Sequence, residues 1–509
     1  MKDKAQIEYG DWQTNEQLAL SVCQLLHSKG VRPQVVIEPT CGKGNFLSAA
    51  LQTFDTITDI IGIEINAEYL SETSKKVAPY SNAVQIHLFC NNIFSFDFSS
   101  IKSIIHGKQI LVLGNPPWVT NSRLGILDSK NLPVKSNFKG QKGIEAITGK
   151  GNFDIAEYIC YQMFRLVSDE SAHFAILLKS STIKNIVYRQ AAQTYPIADI
   201  EQYNIDAKRE FNASVSAALF YGAIGNYSTK QCPVYDFYSR QHILTFGWTA
   251  NKFVADTELY HRTQEIDGLS PFEWRSGVKH DCAKVMELKR IDGTYINGFN
   301  DIVDIEEEVI YPLLKSSDVG DKTITHTEHF VVITQHSPSD DTANICRKYP
   351  KAYQYLLKYA NFLDNRKSSI YHNRTRFCMF GIGKYTFSPY KVVVSGLYKH
   401  TRFSLVPPIE GRPVVVDDTC YAIGFDNVDD AQKTIALLNS HYVQTFLQSL
   451  LFADAKRVIS KDMLMRIDLS RAANILFSTI SPTDETEKYV KKLKIISPVV
   501  QTSLFGYSG

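Results

Sequence analysis

The run Asn115-Pro116-Pro117-Trp118 follows an apolar stretch, residues 109–113, and Gly114, where a buried strand should end. Two prolines fix φ and remove two backbone donors, so the Asn115 side chain and the Pro116 carbonyl can face a cavity as hydrogen-bond acceptors. Trp118 adds a flat apolar surface. Acceptors beside an aromatic plate suit chemistry on a planar aromatic amine. Upstream, Glu38-Pro39-Thr40-Cys41-Gly42-Lys43-Gly44 joins a β-branched run to a helical pattern, and its glycines allow a ligand close to the backbone. It lacks the Lys-Ser/Thr ending of a Walker phosphate loop and the third glycine of the dinucleotide fingerprint.

The elements around these turns alternate. Strand-like runs at residues 34–37, 60–65, 84–89, 110–113, 173–178 and 219–224 are separated by helix-compatible segments at 46–54, 67–77 and 153–167, after a first helix at 18–27. This order predicts a doubly wound α/β domain with its sites beyond the strand C-termini, and 219–224 is expected to be its last strand. The alternation stops near Asn226. We therefore expect two domains, residues 1–225 and an α+β domain of residues 226–509, with strands at 330–334 and 391–395 and a helical stretch at 429–452.

Asn-Pro-Pro-aromatic is the signature of enzymes that methylate exocyclic amino groups, and the chain resembles the S-adenosylmethionine-dependent DNA N6-adenine methyltransferases of restriction-modification systems. The order of motifs, with the large domain last, is similar to the gamma-class, TaqI-like members. The resemblance implies a Rossmann-like methyltransferase domain followed by a DNA target-recognition domain. It places S-adenosyl-L-methionine on Thr14, from the motif X-like Tyr9-Gly10-Asp11-Trp12-Gln13-Thr14; on the motif I turn Glu38, Pro39, Thr40, Cys41, Gly42 and Gly44; on Glu64; on Asn92 and Ile93; and on Pro117. Glu38 would meet the ammonium and Glu64 the ribose hydroxyls. Asn92 stands where relatives carry an Asp for the cofactor's adenine.

Residues 152–155 and 174–178 resemble motifs V and VI, and residues 211–216 resemble motif VIII. Asn115, Pro116, Pro117 and Trp118 are then catalytic. Trp118 stacks on one face of a flipped base and Phe211 covers the other. Relatives that methylate cytosine C5 place a Pro-Cys nucleophile at this site, and this chain has no Cys there.

A net charge of +2 over 509 residues hides an uneven distribution. Residues 347–412 hold about thirteen Lys or Arg against two carboxylates, Asp364 and Glu410, which is the pattern of a phosphate-facing surface. With the resemblance, Arg366, Lys367, Arg374, Arg376 and Lys384 become DNA-contact candidates, double-stranded DNA the partner, and a separate restriction endonuclease a second one. Cytosine N4 methylation and an inactive DNA-specificity protein are the alternatives. Nine cysteines without a Cys-x-x-Cys pair, no signal-type leader and no apolar run of about 18 residues point to a reducing, prokaryotic cytoplasm without membrane insertion.

No metal is expected. His261, His280 and His372 form no ligand-spaced cluster. Asp281 with Glu287-Leu288-Lys289 has the acid and Glu-x-Lys elements of a metal-dependent nuclease, but the spacing is short, and residues 284–290 read as a helix with a charged face.

Overall fold

A computed structural model describes residues 13–119, 154–192, 195–213, 215–225, 227–320, 322–398, 401–452 and 458–478. Tyr9 to Trp12, Asn152 and Phe153, Ser214 and Asn226 lie outside the described residues. The chain divides into two compact units, Met1–Thr257 and Glu258–Gly509.

The first unit opens with α1 (Glu16–Ser28), whose N-terminus is capped by the Asn15 side chain accepting from the Leu18 amide at 2.8 Å. Strand and helix then alternate: β1 (Val35–Glu38), α2 (Asn45–Thr53), β2 (Asp59–Glu64), α3 (Ala67–Val77), β3 (Gln85–Cys90), α4 (Ser99–Ile105) and β4 (Ile110–Gly114). After them come α5 (Ile155–Leu166), β5 (Ala172–Lys179), α6 (Ser180–Arg189), β6 (Ile197–Ile205), α7 (Ala207–Phe211) and β7 (Ala217–Ile224). Strands β1 and β4 are buried along their whole length, as expected of parallel strands covered on both faces.

The sheet does not stop at residue 224. β8 (Gln231–Asp236), β9 (His242–Thr249) and β10 (Lys252–Val254) continue it, giving the order β10-β9-β8-β6-β7-β5-β4-β1-β2-β3. The expected boundary at 225 therefore falls inside one sheet. β1 to β5 pair in parallel, whereas β7 runs antiparallel to both β5 and β6. Strand order reverses between β1 and β4, so the two turns picked out from sequence leave adjacent strand ends at the topological switch point.

The second unit is α+β. One sheet orders β13 (Thr294–Asn297), β12 (Glu287–Ile291), β15 (His329–Val332), β14 (Ile310–Leu314) and β18 (Val415–Val416). The other orders β11 (Arg275–Ser276), β19 (Cys420–Phe425), β16 (Tyr390–Ser395) and β17 (Ser404–Val406). The helical stretch expected at 429–452 is two helices, Val428–Leu438 and His441–Leu450, separated where Ser440 caps the second. The helix expected over 284–290 is corrected: only Ala283–Met286 is helical, and β12 follows as half of a hairpin with β13. Asp292 and Gly293, both at positive φ, make its two-residue turn, a hairpin signal present in the sequence.

Candidate active site at the sheet switch point

Glu38 ends β1 and Asn115 follows β4. The two strands are in parallel register, Ile37 opposite Val112, so their ends lie side by side. A Cβ on Gly114 would stand 3.3 Å from Glu38 Cγ, and that close approach explains glycine before Asn115. Glu38 is 3% exposed, and its Oε2 has no hydrogen-bond partner among the described residues. Burial pushes its pKa well above the usual carboxylate range; a backbone hydrogen bond at Leu47 opposes this and the charge of Glu64 adds to it. Thr40 Oγ1 is likewise buried without a partner. Two unsatisfied oxygens on one turn mark a place where a polar ligand group fits.

The turn itself is shaped by its neighbours. Gly44 sits at φ +73°, and a Cβ there would meet Thr73 Cγ2 at 2.6 Å. Thr73 Oγ1 donates to the Gly42 carbonyl at 2.9 Å, while the Gly42 amide donates to Glu64 Oε2 at 2.9 Å. Glu64 Oε1 accepts from the Asn66 amide at 2.8 Å, so this carboxylate at the end of β2 is held by two backbone donors beside the turn. Pro39 is buried within the turn, and so is Cys41, whose thiol is pushed far up by burial and by Glu38 and Glu64 and does not ionise near neutrality.

Thr14 joins the two turns. Its hydroxyl accepts from Asn115 Nδ2 at 3.2 Å, and its carbonyl accepts from Asn45 Nδ2 at 2.7 Å at the start of α2. With Nδ2 committed to Thr14, the carboxamide has a defined orientation that presents Oδ1 on its other side. Pro116 is buried and Pro117 half-buried. Beyond β3, Asn92 Oδ1 accepts from the Phe94 amide at 3.0 Å and shapes that loop around the buried Ile93.

Trp118 is buried, and its indole donates to the Leu177 carbonyl of β5 at 3.2 Å. Phe211, at the end of α7, meets it with ring centroids 5.1 Å apart and planes at 72°. The structure thus brings together the two rings singled out from sequence, but as adjacent walls of one corner, not as parallel plates. Two faces that sandwich a base would need a separation of roughly 7 Å, twice the van der Waals contact.

No family model matches the chain. Over 476 residues it is 40% identical to the Type II methyltransferase M.NspV of Nostoc sp. (strain ATCC 29411 / PCC 7524), an alignment that covers 93% of this chain and 99% of the relative. The chain belongs to the Type II methyltransferase family of restriction-modification systems. Solved structures are more distant. The Type IIL restriction-modification enzyme MmeI in complex with DNA has a TM-score of 0.49 and 14% identity, covering 99% of this chain and 73% of that one. The type I restriction-modification system methyltransferase subunit from Streptococcus thermophilus has a TM-score of 0.32 and 16% identity, covering 45% and 49%.

Sequence reasoning missed one residue of the first unit that belongs to this region. Lys179, at the end of β5, binds Asp154 Oδ2 at 2.6 Å, and both side chains are largely buried. Asp154 caps α5, while the Ile155 amide donates to the Val119 carbonyl at 2.9 Å. The ion pair ties the start of α5, which the Ile155 amide joins to Val119, to the strand whose Leu177 carbonyl holds the indole. The available signal was a lysine closing an otherwise apolar strand.

In the second unit the basic stretch separates into two sets. Arg366 is corrected as a surface contact: the residue is 9% exposed, and its guanidinium donates to the carbonyls of Leu363, Cys378 and His280 at 2.8, 2.8 and 3.2 Å. Arg376 is exposed but paired with Asp364. Lys351 and Lys358 pair with Asp304 and Asp301, Arg402 and Arg412 donate to carbonyls, and Lys391 is buried with its ammonium on the Ser388 carbonyl. Arg347, Lys348, Lys367, Arg374 and Lys384 are exposed and make no ion pair or side-chain hydrogen bond among the described residues. As for the nuclease elements, Glu287 is held by Lys315 and, at 3.4 Å, by His280, while Lys289 is exposed on β12.

Proposed function

We propose that this protein is a gamma-class, TaqI-like, site-specific DNA methyltransferase that moves the methyl group of S-adenosyl-L-methionine to N6 of an adenine flipped out of duplex DNA. In this reading the first unit is catalytic, the second recognises the target, and a separate endonuclease cleaves the unmodified site. The observation that carries it is the position of the Asn115 carboxamide, fixed by Thr14 at the switch point beside the buried Glu38 carboxyl, whose Oε2 is unsatisfied among the described residues.

The residues present fit the methyl donor. Glu38 offers an unmatched carboxylate oxygen to an ammonium, and Thr40 and Thr14 offer hydroxyls near it. Glu64, oriented by the Gly42 and Asn66 amides at the end of β2, is the carboxylate placed to meet a ribose diol. The carboxamide of Asn92 takes the place of a charged acceptor for an adenine amino group, with Ile93 beside it as apolar contact. When bound, the donor supplies an electrophilic methyl group on a sulfonium.

The chain's own residues then act on the amine. An aromatic amino group is a poor nucleophile because its lone pair is conjugated into the ring. Hydrogen bonds from its two N–H groups to Asn115 Oδ1 and the Pro116 carbonyl favour a tetrahedral nitrogen and stabilise the positive charge that develops there. Nitrogen forms a bond to carbon as the carbon–sulfur bond breaks, and the methylated nitrogen gives up a proton to water. No covalent enzyme intermediate is needed. Trp118 forms the floor on which the base rests, and Phe211 an edge-on side wall.

Labelled donor and unmethylated DNA test the reading directly. The wild-type chain is expected to transfer label, and Asn115→Ala to lower the rate by at least about a hundredfold with donor affinity little changed. Digesting the product to nucleosides should give N6-methyladenine; N4-methylcytosine alone would replace the adenine assignment, and equal transfer by both proteins would remove the mechanism.

A further inference from the structure

Residues 364–376 form a closed loop whose base is fixed and whose apex is open. Arg376 donates to both carboxylate oxygens of Asp364, at 3.1 and 2.6 Å, and so ties the loop's two ends together. Beneath them lies the buried Arg366 guanidinium, on three backbone carbonyls and 3.7 Å from the centre of the Tyr371 ring. The Tyr371 hydroxyl donates to the Lys279 carbonyl at 3.2 Å. The chain leaves through Phe377, buried at φ +68° with its carbonyl accepting from Thr334 Oγ1 at 2.8 Å. A bulky residue in left-handed backbone persists only where its surroundings over-determine it, and such strain gathers at functional segments.

The apex contrasts with this base. Lys367, His372, Asn373 and Arg374 are exposed with no side-chain partner among the described residues, Ile370 is 38% exposed, and no carboxylate occurs between 365 and 375. A loop required only to be soluble has no use for a desolvated guanidinium at its root. A loop that must present donors at fixed positions does.

We propose that residues 364–376 read base edges in duplex DNA, with Asn373 and Arg374 at the bases, Lys367 on a phosphate, and Arg366 as the positioning residue that sets the loop's shape. Asn and Arg match the paired acceptor and donor edges of adenine and guanine in the major groove, Ile370 suits a thymine methyl, and a lysine is a point contact to phosphate. This inference rests on the DNA methyltransferase reading above.

The test uses the full chain expressed in a methylation-free host, with methylated sites mapped by sequencing. The wild type defines a consensus. Arg374→Ala, and Asn373→Gly, which keeps the left-handed turn at φ +58°, should each relax that consensus at one or two positions. Each should also weaken binding to a duplex carrying the site by roughly tenfold or more, with a smaller effect on a scrambled duplex. Lys367→Ala should weaken both duplexes alike and lower the salt slope by about one. Melting temperature and donor binding report on folding. An unchanged consensus and unchanged site affinity in both apex variants would overturn the inference. A wild type that methylates no DNA would instead overturn the function on which it stands.

Discussion

Glu38 is the residue where structure adds most to sequence, because its position in a turn said nothing of its protonation. Burial holds its carboxyl neutral well above the pH at which the unfolded chain would ionise it. The sign follows: with the folded pKa raised, the native state binds more protons in that window, so Glu38 costs stability as pH rises from about 4.5 toward the raised value. An ammonium placed against it reverses the preference and expels the proton. Donor binding should therefore tighten with pH, by up to about tenfold per unit within the window, and release close to one proton. Calorimetry in buffers of different ionisation enthalpy checks this. Glu38→Gln should bind more weakly, with no such proton release, and an equal proton count in wild type and variant would show that Glu38 does not face the ammonium.

Among the elements, those that build the site were the legible ones. β1, β2 and β4 are apolar runs ended by Gly, Pro or an acid, and each lies within a residue or so of its expected place. β6 was not foreseen. Asp199, Glu201, Gln202 and Asn204 interrupt its apolar residues, and an irregularity beginning at Ala198, with Asp199 at φ +50°, breaks the period of two. Contact between Trp118 and Phe211, 93 positions apart in sequence, was legible only as two roles and not as an angle. The turn at Gly44 allows a sharper test of element geometry. Gly44→Ala should cost about 1–3 kcal/mol, measured by denaturant unfolding, through its left-handed φ and the clash with Thr73 Cγ2. Thr73→Ser removes that methyl and keeps the hydroxyl on Gly42. Adding it should recover part of the loss, and strict additivity of the two changes would show that Thr73 is not what Gly44 accommodates.

For the molecule as a whole, sequence composition overstated the basic surface, because a count of cations cannot tell a DNA contact from a structural brace. Of about thirteen Lys or Arg between residues 347 and 412, seven are engaged by carboxylates, carbonyls or burial, and Lys399 lies outside the described residues. Five remain free to meet phosphates: Arg347, Lys348, Lys367, Arg374 and Lys384. The difference is measurable as counterion release. If every cation of the stretch met a phosphate, it would contribute a slope of about −12 to the logarithm of DNA affinity against the logarithm of salt; five contribute about −4 to −5. Neutralising those five together should reduce the slope of the full chain by about 4 to 5, whereas Lys351→Gln with Lys358→Gln should leave it nearly unchanged, since Asp304 and Asp301 already hold those charges. Equal losses of slope per charge in the two sets would mean that the paired lysines exchange their carboxylates for phosphates on binding, and that the ion pairs across residues 301–358 open when DNA arrives.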